Sequence, residues 1–237
     1  MDKLILMVKG HEIWLEKTLM KDDDVEIGLY FGHMMKPDGC PEIAKVSPSV
    51  YAPDGEKISA VLAAKNEAIE LKFKVDGPGC YTVVADLSPE IYSNTKKEGF
   101  KAGAKKMYND AVYAGAWHQM AKAFVTIGEN GEFNAGHTTG ILDIFPGEIT
   151  ARVGTPLALT VFYEGKKLEG AEVKAVSKKE GKEMAVLVTD KDGIVNVPIT
   201  EEGKWMFLVR HRDESKGIED EFDEMVFVTT YTLEAVK

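Results

Sequence analysis

Apolar and polar positions alternate with a period of two along most of the chain, and Gly, Pro, Asp or Asn interrupts the pattern about every eight to twelve residues. This punctuation predicts the short strands of an all-β sandwich. In the first half the clearest strands are "VEIGLYFGH" (25–33), "KISAVLAAK" (57–65), "AIELKFKV" (68–75) and "CYTVVADL" (80–87). Asp76 to Gly79 supply turn chemistry between the last two, which predicts a hairpin over 68–87. The opening "GHEIWLEK" alternates too, sending His11, Ile13 and Leu15 to one face and Glu12, Trp14 and Glu16 to the other.

The second half is more regular. Strand and turn alternate from Pro156 to Arg212, with turns at Glu164-Gly165, Glu180-Gly181, Asp192-Gly193 and Glu202-Gly203. In "GKWMFLVRHR" the pattern places Trp205, Phe207 and Val209 on one face, with His211 two residues beyond Val209, and Met206, Leu208 and Arg210 on the other. Such a module fits an immunoglobulin-like or transthyretin-like sandwich of about 90 residues.

Between the halves, residues 89–128 break the rhythm. Pro89 directly after Ser88, an N-cap type, predicts a short helix through about Lys97. Residues 99–115 are basic, aromatic and interrupted by glycine, and they predict a long crossing segment with helical turns that reaches a strand at 120–128. The expected organisation is therefore all-β. An N-terminal β-sandwich covers 1–140, including a partly helical crossing segment at 89–119, and a C-terminal immunoglobulin-like β-sandwich covers 141–237.

Composition narrows the partners. With 29 basic against 39 acidic residues the formal charge is −10, which repels phosphate backbones and attracts cations, so nucleic acid is not an expected partner. The apolar run at 4–8 is shorter than the roughly 7–15 residues of a signal peptide's apolar region. No later stretch approaches the roughly 20 apolar residues of a spanning helix. The chain is expected to be soluble, either cytosolic or a mature or engineered form of an exported protein. Cys40 and Cys80 have no zinc-type spacing and read as two independent thiols or, in an exported protein, as one disulfide.

No nucleophile elbow, phosphate loop, dinucleotide fingerprint or paired-cysteine zinc motif is present, so the chain is not expected to be an enzyme. "TDKDGIVNV" carries Asp190, Asp192 and Gly193 like the start of a calcium loop but lacks the distant glutamate, and reads as a charged turn. The five histidines are more informative: His11, His33, His118, His137 and His211. Imidazole suits nickel, cobalt, zinc and copper, and His11, His33 and His137 each follow a glycine that lets the backbone turn beside a site. Singly, each reads more readily as a surface or satisfied histidine than as a ligand, and their joint value depends on whether they converge. Met34, Met35 and Cys40 near His33 would suit Cu(I), although methionine is also a common core filler.

Several of these stretches together resemble one family, the two-domain β-sandwich proteins of unknown function formerly grouped with nickel-transport subunits. "GHEIWLEK" is similar to its opening, "LYFGHMMKPDG" to a strand ending in Gly-His, and "YSNTKKEGFKAGAKKMYNDAVYAGAWHQMAKAFVTIG" to its crossing segment. "AGHTTGILDIFPGE" and "FDEMVFVTTYTLE" resemble parts of its second half. The resemblance implies a periplasmic or otherwise extracytoplasmic protein that binds Ni2+ or Co2+ through His11, His33, His137 and His211, auxiliary to a membrane metal-uptake transporter. His118 falls outside that ligand set. The alternative expectation is a tandem β-sandwich with a structural or protein-interaction role and no metal.

Overall fold

The structure, a computed structural model, describes residues 7–128 and 139–237. His137 and most of the apolar run at 4–8 lie outside the described residues. The alternating runs of the first half form β1 (Glu12–Lys21), β2 (Asp24–His33), β3 (Lys36–Gly39), β4 (Val46–Tyr51), β5 (Lys57–Ile58), β6 (Ala60–Lys65), β7 (Ala68–Lys74), β8 (Gly79–Thr95), β9 (Gly99–Ala102) and β10 (Ala111–Ile127). The second half forms β11 (Leu142–Pro146), β12 (Ala151–Arg152), β13 (Leu157–Tyr163), β14 (Lys166–Lys167), β15 (Glu172–Ser177), β16 (Lys182–Val188), β17 (Ile194–Val197), β18 (Gly203–Asp213) and β19 (Glu224–Val236). The fold is all-β, and no helix among the described residues is long and apolar enough to cross a membrane.

These strands make three sheets. A ten-stranded sheet runs β16-β15-β18-β19-β10-β8-β4-β5, with β9 and β12 attached to it. Its centre is a parallel pair, β10 with β19, so strands from both sides of residue 140 share one ladder. A five-stranded sheet (β1-β2-β7-β6 with β3 on β2) and a four-stranded sheet (β11-β13-β14 with β17 on β13) flank it.

Side-chain parity along β18 and β19 shows how the layers stack. Leu208, Val226 and Val228 join the core built with β1, β2 and β7. Val209, Phe227 and Tyr231, one residue out of phase, join the core built with β11, β13 and β17. Successive side chains of a strand point to opposite faces, so the two flanking sheets cover opposite faces of the central one. That explains the nearly continuous apolar runs "WMFLV" and "MVFV": a strand buried on both sides has no solvent face to mark with polar residues.

Three sequence expectations are corrected. The stretch 68–87 is not a hairpin, because β7 pairs with β2 and β6 whereas β8 pairs with β4 and β10. The turn at Asp76 and Gly77 instead carries the chain between sheets, held by the Tyr81 hydroxyl, which donates to the Gly77 carbonyl at 3.0 Å. Turn residues mark a reversal, and a reversal between facing sheets uses the same chemistry as one within a sheet.

The helix expected from Pro89 to about Lys97 is instead the second half of β8. Pro89 falls where the β8–β10 register shifts, between the pairs Trp117–Glu90 and Gln119–Leu87, so its missing N–H interrupts no regular ladder bond. Residues 99–115 likewise form β9 and the start of β10, with one 3-10 turn at Lys105–Met107, and the described residues contain no long helical segment. The aromatic residues that broke the alternation pack on each other: Tyr92, Phe100, Tyr113 and Trp117 meet edge to face with centroids 5.8–6.2 Å apart. Gly115 is required there, since a Cβ would lie 2.5 Å from the Tyr113 hydroxyl and 2.8 Å from the Trp117 ring.

Candidate functional site

β1 is the outer strand of its sheet, so one row of its backbone groups has no strand partner. Side chains of the central sheet take that place. Gln119 accepts from the Ile13 N–H at 2.9 Å and donates to the His11 carbonyl at 2.8 Å. The hydroxyls of Thr230 and Thr232 donate to the carbonyls of Ile13 and Leu15 at 2.7 and 2.6 Å. The edge is thereby closed, and the backbone that carries His11 is fixed to the centre of the molecule.

Opposite His11, β2 ends at His33 and turns tightly into β3. Met34 and Met35 both take left-handed conformations, with φ of 51° and 58°, as a two-residue hairpin connection of the primed type demands. Glu12, only 2% exposed, accepts from the Met34 N–H at 2.8 Å, and its other oxygen lies 3.5 Å from His33 Nδ1. Burial pushes the Glu12 carboxyl above its ordinary value, while the Met34 N–H and His33 pull the other way.

The His11 and His33 rings lie 5.7 Å apart and 28° from parallel. His11 Nε2 is 2.6 Å from Asp38 Oδ2, and its Nδ1 is buried with no hydrogen-bond partner among the described residues. An orphaned buried nitrogen is costly, because desolvation is not repaid by a bond. Of the expected ligands, then, the fold brings His11 and His33 together and adds Glu12 and Asp38. Among the described residues no group of three or more His, Cys, Asp or Glu side chains is arranged to hold a metal ion as it stands.

His211 sits apart from this pair. Leu208, Arg210 and Arg212 line the cavity beside His33, and His211, out of phase with them, packs its ring 4.3 Å from Tyr163 on the opposite face of β18. Burial lowers its pKa, with Asp213 opposing. His118 bonds Asp86 at 3.0 Å, and Met35 packs with Trp14, Val176 and Met206. No disulfide joins Cys40 and Cys80, and burial pushes the Cys80 thiol up to about 11.

The cavity beside His33 has a volume of about 550 Å3 and lies between the β2–β3 turn and strands β15 and β18. Lys9, Lys174, Arg210 and Arg212 contribute positive side chains to it, and Glu12, Glu172 and Glu183 negative ones. Sequence reasoning missed Asp38, Gln119 and this charged lining. Asp38 stands in "KPDG", whose composition carries no ligand signal, and the charged lining residues come from segments that only folding brings together.

No curated protein matches the chain. Among solved structures it is similar to the D0-D1 domain of intimin at 16% identity, over 95% of this chain and 98% of that one, with a TM-score of 0.25. It is similar to the BSP domain of a biofilm-associated protein at 9% identity, over 94% of this chain and 29% of that one, with a TM-score of 0.24. It is also similar to murine CEACAM1b at 8% identity, over 95% and 100% of the two chains, with a TM-score of 0.25. Likenesses this slight support no inference about function. A family model, described as a domain of unknown function, matches residues 8–213, and that description carries no nickel-transport grouping. With most of its length matched, the chain belongs to the domain-of-unknown-function family DUF4198.

Proposed function

We propose that this is a non-enzymatic binding protein for a divalent transition metal, Ni2+ or Co2+, with His11 and His33 as ligands. The reading rests chiefly on the buried, unpartnered Nδ1 of His11 in a ring 5.7 Å from that of His33. Histidines that ligate through one ring nitrogen commonly bond a carboxylate through the other, and Asp38 occupies that place on His11. Glu12 supplies negative charge beside His33 and, once deprotonated, would serve as a further ligand or hold that ring. The two rings would have to rotate from their stacked arrangement to share one ion. The separate packing of His211 takes it out of the proposed set, and His137 lies outside the described residues. An immunoglobulin-like or transthyretin-like character for the sandwich, an extracytoplasmic location and service to a membrane transporter belong to the same proposal.

Calorimetric titration of chelator-treated protein with Ni2+, Co2+ and Zn2+ tests it. One site with a dissociation constant below about 10 μM is expected, weakened roughly 100-fold or more in the His11→Ala, His33→Ala double variant. Equal binding in that variant, or no binding in the wild type, overturns the reading.

A further inference from the structure

The cavity beside His33 mixes both signs of charge, and two of its cations lack a direct partner. Lys174 is paired with Glu183 at 2.9 Å and Arg212 with Glu224 at 2.7 Å. The side chains of Arg210 and Lys9, by contrast, make no hydrogen bond or ion pair among the described residues, although both line the cavity. Burial and the neighbouring Arg212 push the Arg210 guanidinium down from its ordinary value, but arginine stays charged in proteins. Glu12 and Glu172 attract Arg210 without pairing with it, so among the described residues two cations with no direct partner face one concave surface on a chain whose net charge is −10.

We propose that this cavity binds a small organic oxyanion, a carboxylate or a phosphate ester, anchored by Arg210 with Lys9 as the second cation. The planar guanidinium fork matches either head group with two parallel hydrogen bonds. A volume of about 550 Å3 is in the range of small-molecule sites and larger than an inorganic ion needs. Glu12, Glu172 and Glu183 also line the cavity and repel a polyanion, which favours a ligand with one or two charges over a nucleic acid or an acidic polymer. The Val176 and Leu208 side chains provide apolar wall for a short carbon skeleton. The cavity shares Glu12 and His33 with the proposed metal site, but its anchors Arg210 and Lys9 ligate no metal.

Succinate and glycerol 3-phosphate, titrated separately into chelator-treated full-length chain at low ionic strength, probe it and distinguish the two head groups. One of them is expected to bind with 1:1 stoichiometry. Arg210→Gln should weaken that binding roughly 10- to 100-fold, and Arg210→Lys should weaken it less, since charge is kept and the fork is lost. Lys191→Gln, at a remote exposed turn, should bind as wild type. Arg210→Gln leaves His11, His33 and Asp38 in place and should still bind Ni2+ as wild type does, so loss of the anion site and loss of the metal site are read separately. No binding of either probe by wild type up to about 10 mM, or equal binding by a folded Arg210→Gln variant, overturns the proposal.

Discussion

At Glu12 and Glu16, two residues on the same face of β1, burial acts on the same group with opposite outcomes. Among the described residues Glu12 has no ion pair with a lysine or arginine, so burial wins over the Met34 N–H and the two histidines and its carboxyl titrates above the ordinary value. The folded chain then holds that proton more tightly than the unfolded chain. The resulting stabilisation is fully present below the ordinary value of 4.5 and is lost as pH rises through the raised one. Glu12→Gln should therefore leave the metal-free protein at least as stable as wild type in thermal melts at pH 7, while weakening Ni2+ binding about tenfold or more. A clear drop in Tm would show instead that the charged carboxylate stabilises the turn. Burial also pushes Glu16 up, but hydrogen bonds from Lys178 at 2.6 Å, Lys204 at 2.9 Å and the Trp14 indole at 2.8 Å outweigh it and hold the carboxyl low. That contribution is present above 4.5 and lost as pH falls through the depressed value. Because both lysines are partly solvated, Glu16→Gln is expected to cost about 1–2 kcal/mol at pH 7 by urea unfolding, and the difference should shrink below pH 4.

At the scale of the element, the decisive feature is the way β10 and β19 hold the outer strands on both of their faces. Gln119, Thr230 and Thr232 bond β1, whereas Thr229 donates to the Leu142 carbonyl of β11 at 2.7 Å and the buried Lys122 pairs with Asp143. Each set follows the parity of its strand. Gln119→Leu would strand the Ile13 N–H and the His11 carbonyl, at a cost of about 2–4 kcal/mol. It should also weaken Ni2+ binding although it touches no ligand side chain, because the backbone under His11 is released; calorimetry on the folded variant checks this. The strands themselves were legible in the period-two alternation. What β8 and β10 hid was length, since Pro89 and Gly115 look like punctuation until the register shift and the aromatic cluster that accommodate them are seen.

For the whole molecule, the central sheet makes the first and second halves share their backbone ladder along β10 and β19. Trp14 and Met35 of one flanking sheet pack on Val176 and Met206 of the central one, and Glu16 reaches Lys178 and Lys204, so the contact between halves combines apolar burial with charge. Calorimetric melting should accordingly show a single transition whose van't Hoff and calorimetric enthalpies agree. Two separated transitions would mean that one core melts while the other stays folded, so that the β10–β19 ladder does not couple them.

Alternation, turn residues and charge determined on their own that the chain is all-β, where most strands lie, and that β1 sends Ile13 and Leu15 one way and Trp14 the other. These are local properties, written within a few residues. The tertiary structure alone decided that β7 and β8 belong to facing sheets, that two layers share a third, and that His11 and His33 meet while His211 faces another core. The physical reason is that an apolar run specifies burial but not the partner that buries it. Pairing across the chain is chosen by the sum of many long-range contacts, and a histidine beside a glycine reads the same whichever neighbour folding supplies.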